Sequence, residues 1–100
     1  MTGLECIPAL RALGEENRLR IFRLLLSERL NVSEVSQRLQ VSEYNISKHL
    51  RIMKEAGLLE IEKQGQQRFY RVAEEFKAQS KQSKTVDLGC CLFRVNELPK

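Results

Sequence analysis

The interior of the chain has no proline. Pro8 and Pro99, the only two, lie at the extremes of 100 residues, so Ala9 to Leu98 lacks the residue that most often punctuates linkers and disordered tracts. Tryptophan is absent, aromatics make up 6% of the chain, and there is a single histidine, His49. That imidazole has no second histidine and no Asp or Cys at helical spacing, so neither a zinc shell nor an acid–base pair can be built around it locally. The longest nearly apolar stretch, Ile21 to Leu26, is interrupted by Arg23 and falls far short of a bilayer span. The segment MTGLECIPAL carries no basic residues ahead of an apolar run, so no signal peptide is expected; a cytoplasmic protein with no membrane partner is. A glycine-rich phosphate loop, a Cys-x-x-Cys pair and a nucleophile with a histidine partner are all missing, and no enzyme is expected. Cysteine is scarce. Cys6, Cys90 and Cys91 form an odd set with two adjacent, a poor framework for structural disulfides that reads as free thiols in a reducing compartment.

What is present is ordinary globular material, 42% hydrophobic and 30% charged, enough for one modest core. The sequence predicts one domain over residues 1–100, with a core at about 7–83 and a Cys-containing extension at 84–100. Net charge is +4, and between Tyr44 and Arg71 six basic residues (Lys48, Arg51, Lys54, Lys63, Arg68, Arg71) face three acidic ones (Glu55, Glu60, Glu62). Most of the excess therefore sits in one window, which leans toward a polyanionic partner while leaving a plain solvated face open.

Periodicity orders the elements. Pro8 fits the first turn of a short helix through Leu13 with Ile7 and Leu10 on its apolar side, and Gly14 breaks it. Glu15 to Glu28 follows, opened by Glu15 and Glu16, with Ile21, Phe22, Leu25 and Leu26 on its apolar stripe and Arg18, Arg20 and Arg23 on its polar side. Ser33 reads as the N-cap of a helix to Leu39, and Ser42 as the cap of another that buries Ile46, Leu50 and Met53 and stops at Gly57. The period then drops to two: Leu59–Lys63 and Arg68–Val72 make a hairpin turning around Gly65. Ala73 to about Ser83 is weakly helical. Val86–Val95 reads as one strand, with Val86, Leu88, Cys90 and Leu92 on one side.

This order predicts a mainly α fold with a β-hairpin wing, a winged helix-turn-helix. Two short helices joined tightly would leave the outer face of Glu43–Glu55 free to enter a major groove about 12 Å wide. The outward residues are Glu43, Tyr44, Asn45, Ser47, Lys48 and Arg51. Asn pairs with adenine edges, Tyr touches a thymine methyl or a phosphate, and Lys and Arg reach phosphates or guanine. Lys63, Gln66, Gln67 and Arg68 at the hairpin tip suit phosphates or the minor groove.

LGEENRLRIFRLLL and VSEVSQRLQVSEYNISKHLRIMKEAGLLEIEKQGQQRFYRV resemble the winged-helix core of the ArsR family of transcription regulators over roughly Leu10–Val72. Ser42, Ser47, His49, Leu50, the run Glu55-Ala56-Gly57-Leu58 and the Gly65–Tyr70 wing carry the likeness. The resemblance implies a homodimer on double-stranded DNA, a repressor on an inverted-repeat operator that an effector releases, and a packing or phosphate-contact role for His49. Family members that sense arsenite carry Cys-x-Cys where this chain has Asn31 and Ser33, and those that sense zinc use a long C-terminal helix with histidines, which are absent after Val72. No cofactor is required. Gly89 lets Cys90 and Cys91 bend around one soft ion, the resemblance implies Cys6 as a third ligand because terminal segments meet at the family's dimer interface, and three thiolates suit As(III), Sb(III) or another thiophilic effector. A thiol redox switch and a purely structural role are the alternatives. A winged-helix protein-interaction module is the competing function for the fold.

Overall fold

In a computed structural model, residues 3–100 are described, with side chains from Cys6 onward. Helices α1 (Gly3–Ala12), α2 (Glu16–Ser27), α3 (Val32–Leu39) and α4 (Glu43–Glu55) precede a hairpin of β1 (Leu59–Gln64) and β2 (Gln67–Val72). Helix α5 (Glu74–Ser83), a second hairpin of β3 (Thr85–Asp87) and β4 (Leu92–Arg94), and a turn of 3-10 helix (Val95–Glu97) complete the chain.

Helix α2 is the centre of the packing. Ile21, Phe22 and Leu25 of this helix are withdrawn from solvent. The Phe22 ring meets Phe76 of α5 at 6.4 Å and stands edge-on to Phe93 of β4 at 6.0 Å, spacings at which aromatic pairs attract beyond their area. Its polar side is also used: Arg20 donates to the Lys100 carbonyl at 2.9 Å and the Leu39 carbonyl at 3.2 Å, and Arg23 donates to the Leu98 carbonyl. These bonds fasten the last residues of the chain along α2.

The turn between α3 and α4 is tight because Gln40 takes the left-handed conformation at φ 59°. The Ser36 hydroxyl crosses it to donate to the Val41 carbonyl at 2.6 Å. Gly57 at φ 83° ends α4, a conformation that costs glycine nothing. The first hairpin then runs in register from Leu59 opposite Val72 to Gln64 opposite Gln67. Leu30, between α2 and α3, pairs with Tyr70 through reciprocal bonds of 3.1 and 2.8 Å, adding a one-residue rung to the wing.

Three expectations are corrected. Helix α1 begins before Pro8 and contains it, and its inward face is Cys6, Ala9 and Ala12, while Ile7 and Leu10 are about half exposed. Burial of the small residues outweighs the proline, which removes one intrahelical N–H donor beyond the first turn. The cap of α3 is Asn31, not Ser33: its side chain accepts the Glu34 amide at 2.8 Å, and Glu34 reaches back to the Asn31 amide at 3.0 Å. The single strand expected over Val86–Val95 is a hairpin, because Gly89 at φ 98° turns the chain and the Leu88 amide donates to the Cys91 carbonyl at 2.9 Å. Leu92 consequently leaves the face it would have shared with Val86 and Leu88 and is 63% exposed.

The Asn31 cap gives a direct test. Asn31→Ala removes the side-chain acceptor of the Glu34 amide while keeping the Asn31 amide that Glu34 accepts from, and should cost about 1 kcal/mol in chemical denaturation, whereas Ser33→Ala should change stability by a few tenths at most. Equal effects of the two substitutions would return the cap to Ser33.

Candidate nucleic-acid interface

Ser42 starts α4 by accepting the Asn45 amide at 3.2 Å. Ile46, Leu50 and Met53 turn into the core and are fully buried. Helical geometry then places Glu43, Tyr44, Asn45, Ser47, Lys48 and Arg51 outside, and all six are exposed. Tyr44 is 72% exposed, and the Lys48 ammonium lies 5.4 Å from its ring centroid, one turn along. The ring restrains a long cation that would otherwise sample many rotamers.

The wing sorts charge by strand period. Ile61 pairs with Tyr70 and Lys63 with Arg68 on one face, while Glu60 pairs with Arg71 and Glu62 with Phe69 on the other. On that second face the acids are neutralised: Arg71 contacts Glu60 at 3.2 Å and Glu74 at 3.7 Å, and Arg29 contacts Glu62 at 3.6 Å while covering the Phe69 ring at 4.5 Å. On the first face, Lys63 and Arg68 enter no ion pair among the described residues, and neither do Lys48 and Lys54 on α4. Arg51 is held only loosely, 3.9 Å from Glu55.

Between α4 and this cationic face lies an open cleft of about 500 Å³, lined by Tyr44, Ser47, Lys48, Arg51, Lys54, Ile61, Arg68 and Tyr70. Of the residues singled out from the sequence, Tyr44, Ser47, Lys48, Arg51 and Arg68 meet there. Glu43 and Asn45 at the start of α4 and Lys63, Gln66 and Gln67 at the hairpin end do not line it, and all five are exposed. Lys54, Ile61 and Tyr70 also line it and were missed. Lys54 had a visible signal, since it follows Ser47 and Arg51 at seven and three residues along the same stripe. Ile61 and Tyr70 had one too, since strand alternation places them on the faces of Lys63 and Arg68, two residues away.

His49 points the other way, toward the N-terminus of α2. One nitrogen lies 3.3 Å from the Arg18 guanidinium and the other 3.7 Å from a Glu15 carboxylate. Burial pushes its pKa below the ordinary 6.5; Glu15 opposes that shift, and Arg18 and Lys48 reinforce it. A direct phosphate contact does not fit a ring that is 18% exposed and turned inward.

The cysteines also depart from expectation. Cys6 and Cys90 form a disulfide across a sequence separation of 84, with their Cα atoms 6.0 Å apart, a usual separation for such a bond. Cys91 is free and half-buried. The cluster of Cys6, Cys90 and Cys91 expected to hold a thiophilic ion is not assembled, and among the described residues no group of three His, Cys, Asp or Glu side chains is gathered for a metal. The Gly89 turn presents Cys90 to α1, and a sulfur already bonded to carbon and to sulfur has no thiolate to offer an ion. No helix among the described residues is long and apolar enough to cross a membrane.

A family described as a helix-turn-helix domain matches residues 13–62, from the approach to α2 through most of β1. The chain is 36% identical over 66 residues to the transcriptional activator HlyU of Vibrio cholerae serotype O1, a match covering 66% of this chain and 61% of that protein's length. The solved structure of HlyU from Vibrio cholerae superposes with a TM-score of 0.68 at 34% identity, covering 78% of this chain and 86% of the other. The homodimeric winged helix-turn-helix DNA-binding domain of Mb0332 from Mycobacterium bovis, described as a possible ArsR-family transcriptional regulator, gives a TM-score of 0.70 at 27% identity over 75% and 69% of the two chains. The transcriptional repressor BigR of Xylella fastidiosa gives 0.64 at 28% identity over 71% and 70%. Fold, motif and relatives agree, and the chain belongs to the ArsR family of winged helix-turn-helix transcriptional regulators.

Proposed function

We propose that the protein is a repressor that binds an inverted-repeat operator as a homodimer and is released when Cys6 and Cys90 are oxidised. The DNA-binding part rests above all on the α4–wing cleft, where Lys48, Lys54 and Arg68 are left without carboxylate partners while the acids of the wing are neutralised on its far face. Such a surface attracts phosphates, and Asn45 and Ser47 at the exposed start of α4 supply the hydrogen-bonding groups that read bases. One recognition helix reads too few base pairs for a long site, which favours a dimer, as in the Mb0332 domain. Relatives include a protein described as an activator and one described as a repressor; a promoter fusion whose expression rises when this protein is removed would support repression here.

The redox part rests on one observation. The disulfide joins a fully buried sulfur on α1 to Cys90 on an exposed turn, so oxidant and reductant can reach it from solvent. A regulator working beside DNA meets a reducing thiol pool in which such bonds form conditionally. Forming it from two thiols by a peroxide gives one disulfide and two waters, and a dithiol reverses it. The bond couples the terminal hairpin to α1, whose Ile7 and Leu10 are the exposed apolar groups that a partner subunit could cover.

Two outcomes test this reading. On a duplex selected from a random pool by the protein itself, Asn45→Ala should cost about 1 to 3 kcal/mol with little change on random DNA. Lys54→Ala and Arg68→Ala should weaken both duplexes alike and each flatten the salt dependence by about one counterion. Separately, peroxide treatment should lower operator affinity by about tenfold, with recovery after a dithiol, and Cys90→Ser should abolish the response. Equal affinity of the oxidised and reduced proteins would remove the redox part. Loss of operator binding when arsenite is added to the reduced protein, cancelled by each of Cys6→Ser, Cys90→Ser and Cys91→Ser, would put a three-thiolate ligand set in its place.

A further inference from the structure

The first turn of α2 carries a polar junction that neither the DNA cleft nor the cysteines use. Arg18 stands there with its guanidinium toward two other helices. Its Nε donates to the carbonyl of Ala12, the last residue of α1, and a terminal nitrogen lies 3.3 Å from Nδ1 of His49 on α4. Glu15 completes the junction: its carboxylate accepts the amides of Asn17 at 3.2 Å and Arg18 at 3.1 Å and lies 3.7 Å from Nε2 of the same ring.

The chemistry allows one arrangement. A guanidinium has donors and no acceptor, so Nδ1 must be the bare nitrogen and the ring proton must sit on Nε2, toward Glu15. Protonating the ring would turn Nδ1–H against a cation at 3.3 Å, and one of the two side chains would have to withdraw. The charged groups that act on the ring are Glu15 and Arg18 from α2 and Lys48 from its own helix. Arg11 of α1 and Glu55 of α4 line the adjoining groove between those helices. Glu15 alone among the first three favours the imidazolium, and both its oxygens are already engaged by the α2 amides.

The position on α4 gives the junction its leverage. His49 falls on the inward side, beside Leu50 and one turn beyond Ile46, whereas Asn45, Ser47 and Lys48 look outward from the same rigid cylinder. Apolar packing at Ile46, Leu50 and Met53 fixes how deep α4 sits but is nondirectional. A hydrogen bond at His49 fixes the rotation and tilt about that packing.

We propose that Arg18 is a positioning residue for DNA recognition: by holding the Ala12 carbonyl and the neutral His49 ring together, it sets the angle at which α4 presents Asn45 and Ser47 to the bases. Protonation of His49 releases this hold and lowers sequence selectivity, while charge-driven binding through Lys48, Lys54 and Arg68 persists. The proposal rests on the DNA-binding reading of the α4 face.

The experiment measures affinity for the selected duplex and for a scrambled duplex of equal length, and reads their ratio. Arg18→Ala should lower selected-duplex affinity by about tenfold while changing the scrambled duplex by no more than about threefold. His49→Ala, which alters no charge at neutral pH, should lose selectivity similarly. His49→Gln should retain it, because a glutamine oxygen can accept from Arg18 while its NH₂ faces Glu15. As pH falls from about 7.5 to about 5, the wild-type ratio should decline while that of His49→Gln stays level, a contrast that does not depend on Arg18→Ala folding. Equal losses on both duplexes in Arg18→Ala, full selectivity in His49→Ala, or parallel pH profiles for wild type and His49→Gln would each overturn the proposal. A wild type that binds neither duplex would overturn the DNA-binding reading along with it.

Discussion

Burial of Ile46, Leu50 and Met53 on one side of α4 is the constraint on which the remaining features depend. These three residues return at four- and three-residue steps, so burying them decides which side of the helix faces the core, and the hydrogen bond at His49 sets the finer angle. The same rotation turns Tyr44, Ser47, Lys48, Arg51 and Lys54 toward the wing. Gln40 in a left-handed conformation and the Ser36 hydroxyl on the Val41 carbonyl then fix the angle between α3 and α4. Packing and presentation are thus two sides of one geometric choice.

The modest net charge conceals a division of labour among the cations. Arg18, Arg20 and Arg23 donate to backbone carbonyls of other segments, and Arg29, Arg38 and Arg71 are matched to carboxylates. The planar fork of arginine suits such fixed, directional contacts, whereas lysine is a point charge on a flexible stem. Lysines accordingly dominate the unpaired set around α4 and the wing, with Arg68 beside them. With Arg29, Arg38 and Arg71 matched to carboxylates, Lys48, Lys54, Lys63 and Arg68 stand without acidic partners among the described residues around α4 and the wing.

Local rules made much of this legible in the sequence. Residues of α2, α4 and the first hairpin carry their own periodicity, caps and turn glycine, and the spacing of apolar residues on α4 was enough to separate its inward and outward faces. The readings that failed depended on distant partners. Pro8 was assigned to a first turn because nothing nearby shows that Cys6 and Ala9 are needed in the core. Ser33 and Asn31 are both acceptable caps, and only the return contact from Glu34 chooses between them. Cys90 attracted attention through its neighbour Cys91, whereas its actual partner is at the opposite end of the chain, a relation that no local spacing carries.

The Cys6–Cys90 bond has a consequence apart from any effect on DNA. It closes a loop spanning a sequence separation of 84, so nearly all of the chain becomes a ring in the oxidised state. A cross-link of that span removes conformational freedom from the unfolded chain worth on the order of 4 to 5 kcal/mol in the chain-entropy account. Cutting it moves a protein of this size a substantial way toward its unfolding threshold. Reduction thereby raises the fraction of molecules open to proteases, so the oxidation state of one bond bears on how long each copy survives.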